Sequence, residues 1–389
     1  MSIPKFAVVS HTVPPSTGGQ SALIHRLLAD LDPGGYCLIS HGVEEAEVIQ
    51  ETLPRLPGRY HDLPAEHATR FGTSKILRGL LLAAALRSRA KSIARIVREE
   101  GCEAVVAFTG DLLNLPASAL ASRTAWLPYY VYVCDYYSNQ WVNPVLRLAA
   151  RRMEPWLMRG AAGVIVPNDF MRAELRRRFG IEAHVICHSC DLAQYGAAPA
   201  RFEDSAVSVV YTGAVSPAQS DALQNLLQAV ALVDERPIDV HVYTGQSRAV
   251  LEQLGVHGRF AHHGHEPLSS MPAVQKQSDI LFLPLSFESP YPELIRTASP
   301  FKMSEYLASR RPILVHAPPD CFLSWYFRRY ECGLVVDQPD PKMLAESIVR
   351  LASDEILQEG LSARAWERAR LDFDSERARR SFLDVLSTG

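Results

Sequence analysis

The chain has 389 residues, a net charge of −3, and apolar and charged fractions of 47% and 21%. That length exceeds what one hydrophobic core usually organises, so two domains are expected. The near-neutral balance excludes a general nucleic-acid binder. The most apolar helical run, residues 79–86, lies between Arg78 and Arg87 and is too short to cross a bilayer.

Residues 1–190 hold 21 Lys/Arg and 17 Asp/Glu, and the rest holds 19 and 26, so the two halves carry +4 and −7. Different surfaces on two domains account for that split. Seven scattered cysteines, several in apolar runs, and no visible signal-peptide pattern lead to the expectation of a reduced, cytoplasmic chain. Cys187-His188-Ser189-Cys190 has a redox or zinc-knuckle spacing without a second pair, so ordinary packing is the simpler reading.

In chain order, residues 6–10 read as a first strand, followed by Pro14-Pro15-Ser16-Thr17-Gly18-Gly19 and an amphipathic helix over 20–31. Glycines there allow a backbone to approach an anion closely. Residues 36–40, 104–108, 129–134 and 163–166 read as further strands with helical pattern between most of them. Runs apolar on both faces suggest a parallel sheet covered by helices. Residues 70–98 carry Arg70, Lys75, Arg78, Arg87, Arg89, Lys91, Arg95 and Arg98. A solvated charged face over a buried stripe is the simpler reading, and contact with an anionic membrane surface is the alternative. Arg172, Arg176, Arg177 and Arg178 pose the same choice.

The pattern breaks at 191–204, which reads as a linker. A second α/β series follows, with strands expected at 207–212, 240–244, 260–263, 280–284, 313–316 and 334–336. Two doubly wound domains would face each other across a cleft at the carboxyl ends of their strands. Residues 361–386 read as charged and helical.

The segment from Ser299 to Ala308 is the most informative. Ser299 reads as an N-cap and Pro300 as the first helical residue. Lys302 and Glu305 share a helix face. A cation suits a diphosphate and a carboxylate suits the paired hydroxyls of a ribose. Asp135, just past an apolar strand, lies where a carboxylate at a strand's carboxyl end would face a cleft and could act as a base on a hydroxyl, with a helix N-cap or turn aspartate as the plain alternative.

With these residues in hand, the chain resembles the retaining, nucleotide-sugar-dependent glycosyltransferases of the GT-B fold, in particular the fourth, or group 1, family of bacterial sugar transferases. Val210-Tyr211-Thr212-Gly213-Ala214 resembles the opening strand and glycine loop of the nucleotide-binding domain, and His263-Gly264-His265 the turn near the base. Residues 278–285 resemble the strand leading to the donor loop. Lys302 with Glu305-Tyr306-Leu307-Ala308 and Pro312 is similar to the family's lysine-then-"EYLA" variant. In the amino half, residues 14–20 resemble the first glycine loop, and Arg152-Met153-Glu154 to Asn168 the family's acid–helix–strand segment. Three positions depart from the family pattern: Thr297 stands where the first of two glutamates is usual, Ala214 and Gln219 where cations are usual, and Cys134-Asp135 where a His-Asp pair is usual.

The resemblance implies domains at 1–192 and 205–372, with a helix over 373–389 packing back on the first. It implies transfer of a sugar, with retention, from a nucleoside-diphosphate sugar (UDP and GDP first) to a hydroxyl of a surface glycan, polysaccharide or lipid-linked saccharide, with no metal required. Lys302, Gly18 and Gly19 would take the diphosphate, Glu305 the ribose, and Gly213, Gly264 and His265 the nucleotide. Arg296 and Ser299 would assist at the diphosphate, and one of Glu288, Glu293 and Arg296 would hold sugar hydroxyls. Asp135 would serve the acceptor, with Tyr136, Tyr137 and Trp141 either stacking on a sugar or packing the loop. His262, His263 and His265 lack the spacing of a metal site. An epimerase or hydrolase of the same fold and a non-catalytic GT-B-like binding protein are the alternatives. Peripheral contact at the inner membrane face is left open.

Overall fold

The computed structural model describes residues 3–16, 18–41, 53–63, 75–139, 141, 143–197 and 206–388, and omits the side chains of 75–80. Thr17, Arg70 and residues 198–204 of the expected linker lie outside the described residues, as do the side chains of Lys75 and Arg78. The chain divides into two compact units, residues 1–187 with 376–389, and residues 188–375.

Unit 1 begins β1 (Phe6–Val9), α1 (Gly19–Leu28), β2 (Tyr36–Ser40), β3 (Arg59–Asp62), α2 (Lys75–Glu99), β4 (Ala104–Phe108) and α3 (Asn114–Ala125). It continues β5 (Tyr129–Tyr132), α4 (Pro144–Arg159), β6 (Gly163–Val166), α5 (Asp169–Phe179) and β7 (His184–Val185). Its sheet has the order β3-β2-β1-β4-β5-β6-β7 and is parallel throughout. The four or five residues of β1, β2, β4 and β5 are buried without exception, which explains their unbroken apolar sequence. The edge strands β3 and β7 escape the sequence reading because Arg59-Tyr60-His61-Asp62 is polar and β7 has two residues.

Unit 2 follows as β8 (Val207–Thr212), α6 (Ser220–Val230), β9 (Ile238–Tyr243), α7 (Arg248–Gln253), β10 (Ala261–His263), α8 (Met271–Lys276), β11 (Ile280–Pro284) and α9 (Pro292–Thr297). Then come α10 (Lys302–Ala308), β12 (Ile313–His316), α11 (Phe322–Tyr330), β13 (Leu334–Val336), α12 (Pro341–Ser353) and α13 (Glu355–Asp372). The sheet order is β10-β9-β8-β11-β12-β13. In both sheets the strand order reverses beside the first strand, and ligands of doubly wound folds bind at the carboxyl ends of the strands there. The core of unit 2 joins Val209, Tyr211, Leu226, Phe282, Leu314 and Ile348.

The last helix, α14 (Ser375–Ser387), belongs to unit 1. Phe382 is fully buried and meets the Phe6 ring edge-on at 5.7 Å. Arg379 pairs with Asp30 at 2.6 Å, and Tyr130 Oη donates to the Leu386 carbonyl. Burying one such phenylalanine contributes about 1.5–3 kcal/mol.

Candidate active site

The switch point of unit 2 lies between β8 and β11. The chain leaves β8 into Gly213, whose φ of +107° is one that side chains rarely adopt. A Cβ added at Gly213 would stand 3.3 Å from Lys302 Nζ. Lys302, the first residue of α10, holds that Nζ 3.7 Å from the centroid of the Tyr211 ring, within cation–π range. Thr212 completes the join: its backbone N–H donates to Tyr306 Oη at 2.9 Å. Four positions of β8 and α10 are therefore locked together, and Lys302 lies directly beside the glycine loop. Burial pushes the Lys302 ammonium down to about 7, against the opposing pull of Glu305.

Glu305 lies one turn further along α10 and is buried. Gln275 Nε2 donates to its Oε2 at 3.3 Å, and Tyr195 Oη donates to Gln275 Oε1 at 2.9 Å. Gln275 is fully buried on α8 and is itself held by Tyr195, so it orients the Glu305 carboxylate. The sequence places Tyr211 in the strand before the glycine loop without giving it a role, and does not mark Gln275. Tyr211 reads as an ordinary strand aromatic, and Gln275 reveals itself only as a polar residue inside a short amphipathic stretch.

The segment before α10 differs from the expectation. Ser299 is not the N-cap: the helix starts at Lys302, Phe301 occupies the cap position, and no side chain caps it. Among the described residues Ser299 Oγ is buried without a hydrogen-bond partner. The Ser299 carbonyl instead accepts from His188 Nδ1 at 2.9 Å, and the His188 ring stacks on Phe301 at 4.0 Å. Phe301 already has helical φ and ψ of −54° and −38°, so the turn begins before the serine hydroxyl can reach its N–H groups. Cys190 Sγ donates to the Ser304 carbonyl at 3.4 Å. His188 and Cys190 thus buttress this loop by packing.

The remaining donor-side candidates lie further out. Gly264 and His265 are exposed at the end of β10, with His265 beside Gly245, where an added Cβ would sit 3.6 Å from its Nδ1. Arg296, Glu288 and Glu293 are exposed on or before α9, and Thr297 is buried. His263 stacks on Tyr243 at 4.0 Å and pairs with His241 at 3.0 Å; burial and that neighbour push its imidazole down. Among the described residues no group of three or more His, Cys, Asp or Glu could hold a metal ion.

In unit 1, Gly18 precedes α1 with φ +125°, and Gly19 is the first residue of that helix. Among the described residues no atom lies within 4 Å of a Cβ built at Gly18, so its backbone conformation, not crowding, requires glycine. Asp135 follows β5, and its N–H and that of Cys134 donate to Thr109 Oγ1. The Asp135 side chain is reachable by solvent, while the protein around it displaces enough water to push its carboxyl above the ordinary value. Tyr136 and Tyr137 are fully buried, and Tyr137 Oη donates to the Leu112 carbonyl at 2.6 Å. Their rings pack the core and offer no face to a sugar. Trp141 meets the Tyr137 ring edge-on and donates from Nε1 to the Tyr137 carbonyl, so it also packs the loop.

His11 was not anticipated. It follows β1, and a Cβ on Gly110 would come within 2.3 Å of its Nδ1. Gly110 has φ +142°, so two constraints keep it glycine. Burial holds the His11 imidazole down against the pull of Asp111. A histidine directly after the first strand was the available signal.

The second basic series is structural. Arg178 pairs at 2.5 Å with the fully buried Glu154, which also accepts from Ser138 Oγ at 2.7 Å. Arg172, Arg176 and Arg177 pair with Asp169, Glu182 and Glu174. Arg89, expected on the basic face of α2, is buried and pairs with Asp111 at 2.6 Å.

Two doubly wound parallel sheets with this strand order define the GT-B class of fold. The chain superimposes on the sucrose-phosphate synthase of Thermosynechococcus elongatus with a TM-score of 0.72 and 15% identity, covering 98% of both chains. It superimposes on Anabaena HepE in complex with UDP and glucose with a TM-score of 0.68 and 15% identity, covering 99% of this chain and 100% of that one. A third similar structure is the lipopolysaccharide outer core galactosyltransferase WaaB in its apo form, with a TM-score of 0.63, 12% identity, and coverage of 98% and 99%. No curated protein sequence matches the chain. Residues 206–354 match the family model described as Glycosyl transferases group 1. That segment lies wholly within unit 2 and makes it a group 1 glycosyltransferase domain; the chain is a glycosyltransferase.

Proposed function

We propose that unit 2 binds a nucleoside-diphosphate sugar at the carboxyl end of β8 and that the enzyme transfers the sugar, with retention, to a hydroxyl acceptor. The observation that carries this reading is the Lys302 ammonium held beside Gly213 and over Tyr211, with Glu305 one turn away. A leaving diphosphate needs cations and N–H donors fixed before charge develops. Lys302 supplies the cation, and the close approach allowed by Gly213 supplies backbone. Glu305, oriented by Gln275, takes the ribose hydroxyls, as the acid of dinucleotide-binding folds does. Gly264 and His265 lie along the same sheet edge for the base, and Arg296 and Ser299 flank the helix start. UDP is the first nucleotide to test because HepE is described with UDP and glucose, with GDP next.

In unit 1, Asp135 serves the acceptor. Its raised pKa direction suits a carboxylate that accepts a hydroxyl proton. Gly18 and Gly19 offer backbone to an anionic group. A surface glycan, polysaccharide or lipid-linked saccharide is the acceptor class we favour, and the likeness to the lipopolysaccharide galactosyltransferase supports it at the level of fold. The reading requires no metal, since Lys302 meets the diphosphate.

A thermal-shift panel of UDP, GDP, ADP, CMP and dTDP tests the donor assignment. One diphosphate raises the melting temperature of the wild type, and Glu305→Ala abolishes that protection. Unchanged protection in Glu305→Ala refutes the assignment.

A further inference from the structure

We propose that the outward face of α2, α3 and α4 in unit 1 is a seat for an anionic phospholipid surface. These three helices pack side by side, α2 on α3 and α3 on α4, so their solvent faces form one continuous surface. Arg87, Lys91, Arg95 and Arg98 recur every three or four residues along α2 and are all exposed, which places them in one cationic row. Between α2 and α3 runs a groove of about 480 Å³ with this row as its wall and Ala90, Ala94 and Leu120 among its lining. The acidic residue lining it, Glu99, is already paired with Arg95 at 3.9 Å. The face is thus positive where the chain as a whole is negative.

Cations alone are a solvated face. Here the same three helices also display exposed tryptophan and aliphatic side chains. Trp126 closes α3 at 93% exposure, in a left-handed conformation with φ +58° that bulky side chains avoid. Arg98 donates to the Thr124 carbonyl, which ties the end of the cationic row to the turn that carries Trp126. On α4, Val145, Leu148 and Trp156 are 56%, 50% and 40% exposed. With Arg152 they fall at i, i+3, i+7 and i+11, a single stripe. Tryptophan and arginine displayed together suit the boundary between headgroups and acyl chains, where an indole has one wet and one apolar side. Anionic headgroups complement the row on α2, and the attraction to such a surface fades within a Debye length, so binding depends on salt.

The inference does not rest on the donor reading, and its test has no catalytic readout. The full chain is sedimented with vesicles of phosphatidylcholine alone or with roughly one-third phosphatidylglycerol. The expected result is binding to the anionic vesicles only, weakened by salt, with a blue shift of tryptophan emission. Lys91→Glu/Arg95→Glu loses at least tenfold in vesicle affinity, and Trp126→Ala/Trp156→Ala loses both affinity and blue shift. Arg377→Glu/Arg380→Glu on α14 carries the same charge change outside this surface and retains binding to within about twofold. Unaltered melting of each variant shows that it folds. Equal vesicle binding by the Lys91/Arg95 variant, an equal loss in the α14 control, or wild-type binding to a soluble polyanion but to no vesicle would each overturn the proposal.

Discussion

Lys302 Nζ lies 3.7 Å from the centroid of the Tyr211 ring, and Gly213 is the residue that leaves room for it. The ring attracts the cation but hydrates it poorly, which is why the ammonium is pushed down to about 7. A bound diphosphate restores the charge, so donor binding takes up a proton above that pH. Affinity for a UDP-sugar, whose diphosphate has no proton to lose near neutrality, should rise about tenfold from pH 8 to pH 6. Lys302→Met should bind more weakly and show no such slope, as read by calorimetry across pH.

The same burial makes Lys302 a cost to the folded state. Its folded pKa lies below its ordinary value of 10.5, so the penalty is absent above about pH 10.5 and full below pH 7. Lys302→Met should therefore raise the melting temperature of the ligand-free protein at pH 6.5 by about 2–4 °C per kcal/mol recovered, while it loses donor protection. A lower melting temperature would show that the cation–π contact outweighs desolvation.

Gly213→Ala forces a side chain into a φ of +107° and against Lys302. We expect a loss of about 1–3 kcal/mol in stability and a weaker donor complex. Urea unfolding and calorimetry measure the two effects separately.

His316 provides a pH test independent of any ligand. Its Nδ1–H donates to the Val336 carbonyl at 3.0 Å, which leaves Nε2 to accept from Asn225 Nδ2 at 3.2 Å. Burial pushes this imidazole down to about 4 from 6.5. Below pH 6.5 the unfolded chain takes a proton that the folded chain refuses, so stability falls as pH drops from 6.5 to 4. The loss should reach about 2–3 kcal/mol and be reduced in His316→Asn, as read from urea midpoints at pH 7 and 4.5.

Glu154 is fully buried against Arg178 and Ser138. Arg178→Ala strands a buried carboxylate and should cost about 3–5 kcal/mol. Replacing both partners together should cost less than the sum of the two single changes. Additive losses would mean that the two groups act independently.

The central strands were legible because burial on both faces leaves an unbroken apolar run, as in Ala104–Phe108 and Ile280–Pro284. Arg59–Asp62 was not, since an edge strand needs no apolar face. Lys302 and Glu305 could be paired from their spacing alone. What supports them could not: Gln275 lies 30 residues from Glu305, and His188 lies 111 from Ser299. That distant histidine and the helical backbone at Phe301 displace Ser299 from the cap that its type predicts. Tyr136 and Tyr137 show the complementary limit, because an aromatic after a strand reads equally well as a stacking platform or as core, and packing decides.

The donor site is tested most directly by calorimetric titration of UDP into the wild type, Lys302→Met and Glu305→Ala at pH 6.5. The account predicts saturable binding to the wild type and a loss of at least tenfold, about 1.4 kcal/mol, in each variant. Variants that bind UDP with unchanged affinity would contradict it.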